Sequence, residues 1–217
     1  MPYRLLACFL ALLLAACGGT AANPPAAGAF GPSPGYMLIA FDVAAPVNFA
    51  KYRYEIVFNT SGNGLTPEAP TNSVESDFAS YSYTLEAGGG GVGTLGVYHY
   101  LTPAGCPACF PFYVQLLTTP SQLQYVPDSN GAGTEFTILL QRSIFTGAAP
   151  TWLFNAFTTK SETGAAVDSM GRCNKCFVSP QLHTDEAFSE AIAAAKPGDA
   201  AIDPAARIVS IHIANDP

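Results

Sequence analysis

The chain reads as mainly β, an antiparallel β-sandwich that is immunoglobulin-like in general architecture and carries one C-terminal helix. Three observations point there. From Tyr36 onward bulky residues recur at every second position, the period of a half-buried strand. Clusters of Gly, Asn, Asp and Ser interrupt that alternation at intervals. No helical pattern alternates with the strand pattern, which argues for antiparallel sheets rather than for parallel strands joined by crossover helices.

The elements follow in chain order. Residues 37–43 open the strand series. Tyr52, Tyr54, Ile56 and Phe58 then place bulk on one face while Lys51, Arg53 and Glu55 take the other. The turn cluster Asn59-Thr60-Ser61-Gly62-Asn63-Gly64 ends that strand. Tyr81, Tyr83 and Leu85 alternate in the same way with Ser80, Ser82 and Thr84, and glycines at 88–91 follow. Further strands are expected over 94–101, 110–118, 134–141, 151–158 and 207–213, all rich in β-branched and aromatic residues. The helix is expected over about residues 184–196. Thr184 caps it, Asp185 and Glu186 meet the positive end of the helix dipole, and Phe188, Ala191, Ile192 and Ala195 form its apolar face. Lys196-Pro197-Gly198 ends it.

Composition narrows the function. The chain holds 9 Lys and Arg against 16 Asp and Glu, a net charge of −7. That balance excludes nucleic acid as a partner, because such binding rests on neutralised phosphates. It also excludes a basic patch docked on anionic lipid. Charged residues are 12% of the chain and hydrophobic ones 49%, enough for residues 36–217 to bury one sizeable core as a single domain.

The N-terminus has the layout of an export signal. Arg4 precedes an uncharged apolar run from Leu5 to Ala16 that ends in small residues. The run is too short to cross a bilayer core, which takes about 20 residues. Leu14-Ala15-Ala16-Cys17, followed by Gly18, resembles the lipobox of bacterial lipoprotein precursors. The resemblance implies that residues 1–16 are removed, that Cys17 becomes the lipidated first residue, and that the membrane is reached through that lipid. One acyl chain holds only marginally, so firm anchoring takes several. Gly18 after the cysteine, by the same resemblance, implies the outer membrane in a two-membrane cell and the cell membrane otherwise. The Gly-, Ala- and Pro-rich stretch to residue 35 carries no charge and little apolar bulk, as a flexible tether does.

Four cysteines remain in the mature chain, as Cys106-Pro107-Ala108-Cys109 and Cys173-Asn174-Lys175-Cys176. In an exported protein they form disulfides, with three possible pairings, or a closed structural zinc site of four thiolates. Free or redox-active thiols rank behind both. A low thiol pKa needs a helix N-terminus, and Pro107 and Pro111 with a strand pattern after them do not supply one.

Other motifs fail on context. Gly31-Pro32-Ser33-Pro34-Gly35 spells G-x-S-x-G, but prolines on both sides of Ser33 forbid the strand-to-helix elbow a nucleophile needs. Gly91-Val92-Gly93-Thr94-Leu95-Gly96 spells G-x-G-x-x-G, yet a strand follows where a phosphate site needs a helix. The run from Asp128 to Glu135 resembles the start of a calcium loop, but Leu139 stands where the twelfth-position carboxylate belongs. His99, His183 and His212 are scattered, and nothing selects a catalytic set from them.

Tyr52, Tyr54, Tyr81, Tyr83, Tyr98 and Tyr100 alternate along strands. If their faces coincide on the surface they make an aromatic platform for a sugar or an apolar partner; otherwise they pack as cross-strand pairs in the core. The sequence therefore points to a lipid-anchored, non-catalytic module of the cell envelope with a protein or glycan ligand or a structural role. The alternative is an exported hydrolase or metal-dependent enzyme on the same scaffold.

Overall fold

The computed structural model describes residues 32–67, 81–88, 94–101, 112–127, 132–170, 181–194 and 201–217. Among these residues twelve strands are formed: β1 (Tyr36–Val43), β2 (Tyr52–Asn59), β3 (Tyr83–Gly88), β4 (Leu95–Leu101), β5 (Phe112–Leu116), β6 (Leu123–Pro127), β7 (Glu135–Gln141), β8 (Thr151–Lys160), β9 (Ala166–Ser169), β10 (Leu182–His183), β11 (Phe188–Ala193) and β12 (Ile208–Asp216). The small sheet runs β11-β12-β1-β7-β6, and the large one runs β10-β8-β2-β3-β4-β5, with β9 beside β10 along the outer edge of β8. All pairings are antiparallel.

Period-two alternation aims one face of each sheet at a shared core. β1 contributes Met37, Ile39, Phe41 and Val43, β7 contributes Phe136, Ile138 and Leu140, and the large sheet answers with Tyr54, Ile56, Phe58, Leu85 and Phe154. Ile208 and Ile211 of β12 are three apart, so a regular strand would send them to opposite faces. A bulge opposite Asp42 and Val43 absorbs the odd residue, Val209, which stands exposed, and both isoleucines bury.

The buried tyrosines tie the large sheet to its surrounding loops. The Tyr54 hydroxyl accepts the Asn48 N–H at 2.8 Å and donates to the Ala205 carbonyl at 2.8 Å. Tyr83 donates to the Thr146 carbonyl at 3.0 Å. Each phenol buries its ring in the core and spends its one polar atom on a loop. Gly88 closes β3 at φ 107°, and a Cβ there would lie 2.6 Å from the Tyr52 carbonyl oxygen. Only glycine fits that approach.

The strands expected from sequence form, with their limits shifted by one or a few residues. The C-terminal helix does not. Residues 188–193 pair with β12 as β11, an edge strand, and among the described residues no α-helix is present. Phe188 and Ile192 lie four apart, a spacing that serves a helix face and a strand face equally, and Ala194 continues the strand period against the core. Ala191, required on the apolar helix face, is exposed. Thr184 does not cap a helix: its N–H and hydroxyl both bond the Pro150 carbonyl, at 2.8 and 2.9 Å. Strands β6, β9 and β10 were not expected from sequence. Ala195 and Lys196 lie outside the described residues.

Candidate functional site

The outer face of the large sheet departs most from the sequence expectation. Arg53 and Glu55 read as a solvent face, yet Glu55 is only 1% exposed. Glu55 and Glu86 face each other across the β2–β3 ladder, register partners with side chains on the same side. Like charges so placed repel. The Thr159 hydroxyl donates to Glu55 Oε1 at 2.6 Å, and the Arg53 guanidinium lies 3.7 Å from Glu86 Oε2 while donating to the Ser161 carbonyl at 3.1 Å. Beside this polar group Val57, Tyr81, Tyr100 and Phe157 form a second apolar cluster, separate from the core between the sheets.

The six tyrosines divide between the two faces. Tyr52, Tyr54 and Tyr83 sit in the shared core; Tyr81, Tyr98 and Tyr100 belong to the outer face, where Tyr98 alone is partly exposed. They therefore present no common surface. Tyr113, which sequence reasoning did not single out, joins the outer group: it stacks on Tyr98 at 4.5 Å and tilts against Tyr100 at 5.0 Å. Gly96 permits this packing, since a Cβ there would lie 2.9 Å from the Tyr98 ring. The last glycine of the G-x-G-x-x-G string is thus a strand residue beneath an aromatic ring.

A second locus joins β2 to the loop before β12. Lys51 Nζ lies 2.5 Å from Asp203 Oδ2, to which the Tyr52 hydroxyl donates at 2.8 Å. A hollow of about 350 Å³ lies alongside, lined by Asn48, Lys51, Tyr52, Lys160 and Glu162. The Lys51 bond, then those from Tyr52 and the Ala205 N–H, hold the Asp203 carboxyl down at about 2. A depressed acid stabilises the fold above its ordinary range, and that stability is lost as pH falls through the folded value. Asp203→Asn should therefore lower the melting temperature near neutrality and flatten its fall between about pH 4 and 2. A thermal melt series over that range checks it; an unchanged acid limb would remove Asp203 from the account.

A third locus is an open hollow of about 500 Å³ near the start of β1, lined by Gly35, Arg142, Ser143, Phe145, Pro150 and Trp152 among others. Arg142 stands in a 3-10 turn directly after β7, its N–H bonded to the Gly35 carbonyl at 3.0 Å. Its Nη1 donates to the Thr184 carbonyl, while Nε is buried with no hydrogen-bond partner. Burial pushes the guanidinium down from its ordinary value, and Asp216 opposes that through space. Asn215 is fully buried nearby; its amide also donates to the Thr184 carbonyl, at 3.2 Å.

The histidines are not brought together. His99 stacks on Tyr83 at 4.2 Å, and burial pushes its imidazole down. His183 is on β10, four strand positions from β4 and so roughly 19 Å away across the sheet. His212 belongs to the other sheet and meets the Ser189 hydroxyl at 2.9 Å. Among the described residues no group of three His, Cys, Asp or Glu is placed to hold a metal ion. Cys17, Cys106, Cys109, Cys173, Cys176 and Asp128 lie outside the described residues.

Comparison with protein-family models, curated proteins and solved structures finds no match for this chain.

Proposed function

We propose that this chain is a bacterial envelope lipoprotein, cut before Cys17, lipidated there, and carrying at the end of its tether a non-catalytic module that binds a protein or glycan ligand or serves a structural role. The observation that carries the reading is the lipobox Leu14-Ala15-Ala16-Cys17 with an uncharged tether running from it into β1. The finer architecture belongs to the same proposal: a single antiparallel β-sandwich domain, immunoglobulin-like in general layout. Two antiparallel sheets contributing to one apolar core support it. The chain enters at Gly35, whose N–H bonds the Asp216 carbonyl at 2.7 Å, so the tether joins the central strand of the small sheet beside the C-terminus. Pull on the tether is then borne by a ladder paired on both sides.

The lipid is tested by growing cells that express the full chain with a clickable palmitate analogue. Label and membrane retention are expected on the native chain and neither on Cys17→Ser. A labelled serine variant, or a native chain left unlabelled in the soluble fraction, would sink the proposal.

The enzyme reading has one observation in its favour, the facing carboxylates Glu55 and Glu86, since glycoside hydrolysis needs two such groups. The burial of Glu55 keeps it from a substrate, which weighs for a structural pair.

A further inference from the structure

The hollow at Arg142 has features that folding alone does not require. Among the described residues its arginine makes no ion pair, although acids outnumber bases in the chain by 16 to 9. Of the guanidinium nitrogens Nη1 is engaged, by a backbone carbonyl, and the buried Nε has no partner. An unmet donor beside a concavity is one a ligand can satisfy. Phe145 and Trp152, 5% and 2% exposed, give the hollow an aromatic floor, and Ala148 and Pro150 add apolar wall. The Trp152 indole N–H is committed to the Ala149 carbonyl at 2.6 Å, so the charged donor lining the hollow is the guanidinium, beside the neutral side chains of Gln141 and Ser143.

We propose that this hollow is a binding site for a small organic acid, its carboxylate received by the guanidinium of Arg142 and its apolar body lying over Phe145 and Trp152. Two parallel N–H groups match a carboxylate's two oxygens, and the planar guanidinium provides them as a lysine cannot. The volume of about 500 Å³ suits a small molecule. The partly buried setting strengthens the charge-assisted bonds relative to open water. The proposal goes beyond the protein or glycan ligand proposed for the module and adds a small-molecule site to it.

Trp152 is the chain's only tryptophan and lines this hollow from the edge of the core, so its emission serves as the probe. The full chain, purified in detergent, is titrated with cyclohexanecarboxylate and, separately, with the uncharged cyclohexanecarboxamide. A saturable emission change with the acid and none with the amide is expected. Arg142→Gln should weaken acid binding by on the order of tenfold or more, and Arg142→Lys should weaken it despite keeping the charge. Equal responses to acid and amide, no saturable response, or unaltered binding by Arg142→Gln would each overturn the proposal. If the glutamine variant does not fold, the lysine variant and the acid-against-amide comparison still decide. Acid binding lost while the lipid on Cys17 is present removes this proposal alone; an absent lipid with acid binding intact removes the anchor alone.

Discussion

Tyr54→Ala should lower the free energy of unfolding by about 4 kcal/mol, with Tyr54→Phe costing about half of that. The ring is 1% exposed and meets Phe41, Phe49 and Phe136 edge-on at 5.6, 5.5 and 5.5 Å. Truncation to alanine removes those contacts and leaves a cavity that the rigid sheets close only in part. Phenylalanine keeps the ring and strands two partners, the Asn48 N–H and the Ala205 carbonyl. These partners belong to different loops, so the hydroxyl links segments that no ladder joins. Burial also pushes the Tyr54 phenol up to about 12. A raised phenol stabilises the fold below its ordinary value near 10, and that contribution is lost as pH climbs toward 12. Urea unfolding of the three proteins at neutral pH, with an alkaline series on the native one, measures both effects. A phenylalanine variant as stable as native would show that the two loops find other partners.

The strand pattern was legible where strands such as β2 and β3 alternate bulky and polar side chains, and that alternation needs no knowledge of the partner strand. The C-terminal segment was misread because Phe188 and Ile192 are spaced for either structure, and what decides between them is β12, a strand distant in sequence when the ladder is counted residue by residue. Strand β9, Ala166–Ser169, has too little apolar bulk to announce itself and exists through pairing with β8. Faces were harder to read than strands. Period two separates Arg53 and Glu55 from Tyr52 and Tyr54, but it cannot say whether the second face is covered. A signal was present elsewhere: Trp152-Leu153-Phe154 and Phe157 in β8 put bulk on both faces, as a strand buried on both sides does. Taken with the register, that run implied a covered outer face and therefore a buried Glu55. Arg142 carried no such signal. A single arginine after a strand is ordinary, and its unmet donor arises only from the meeting of the turn after β7 with Thr184.

Arg53→Met should cost about 3 kcal/mol at neutral pH, and the penalty should shrink in acid. Methionine keeps most of the side chain's length and apolar packing but removes the cation beside Glu86, leaving two carboxylates opposed on neighbouring strands. The side chains of Arg53 and Glu86 are 19% and 10% exposed, so water screens their interaction poorly and the discount applied to surface pairs is small. The direction with pH follows from proton binding. Without Arg53 the folded chain gains more than the unfolded chain by protonating these acids, so the variant recovers stability relative to native as pH falls. Coupling separates charge from packing: if the cost is electrostatic, adding Glu86→Gln to Arg53→Met should restore much of the loss, because one neutral and one charged group then face each other. Urea unfolding at pH 7 and pH 4 for the native chain, both single variants and the double variant completes the cycle. An equal penalty at the two pH values with no rescue by Glu86→Gln would assign Arg53 to packing along its aliphatic stem and leave the facing acids balanced by their other neighbours, Thr159 among them.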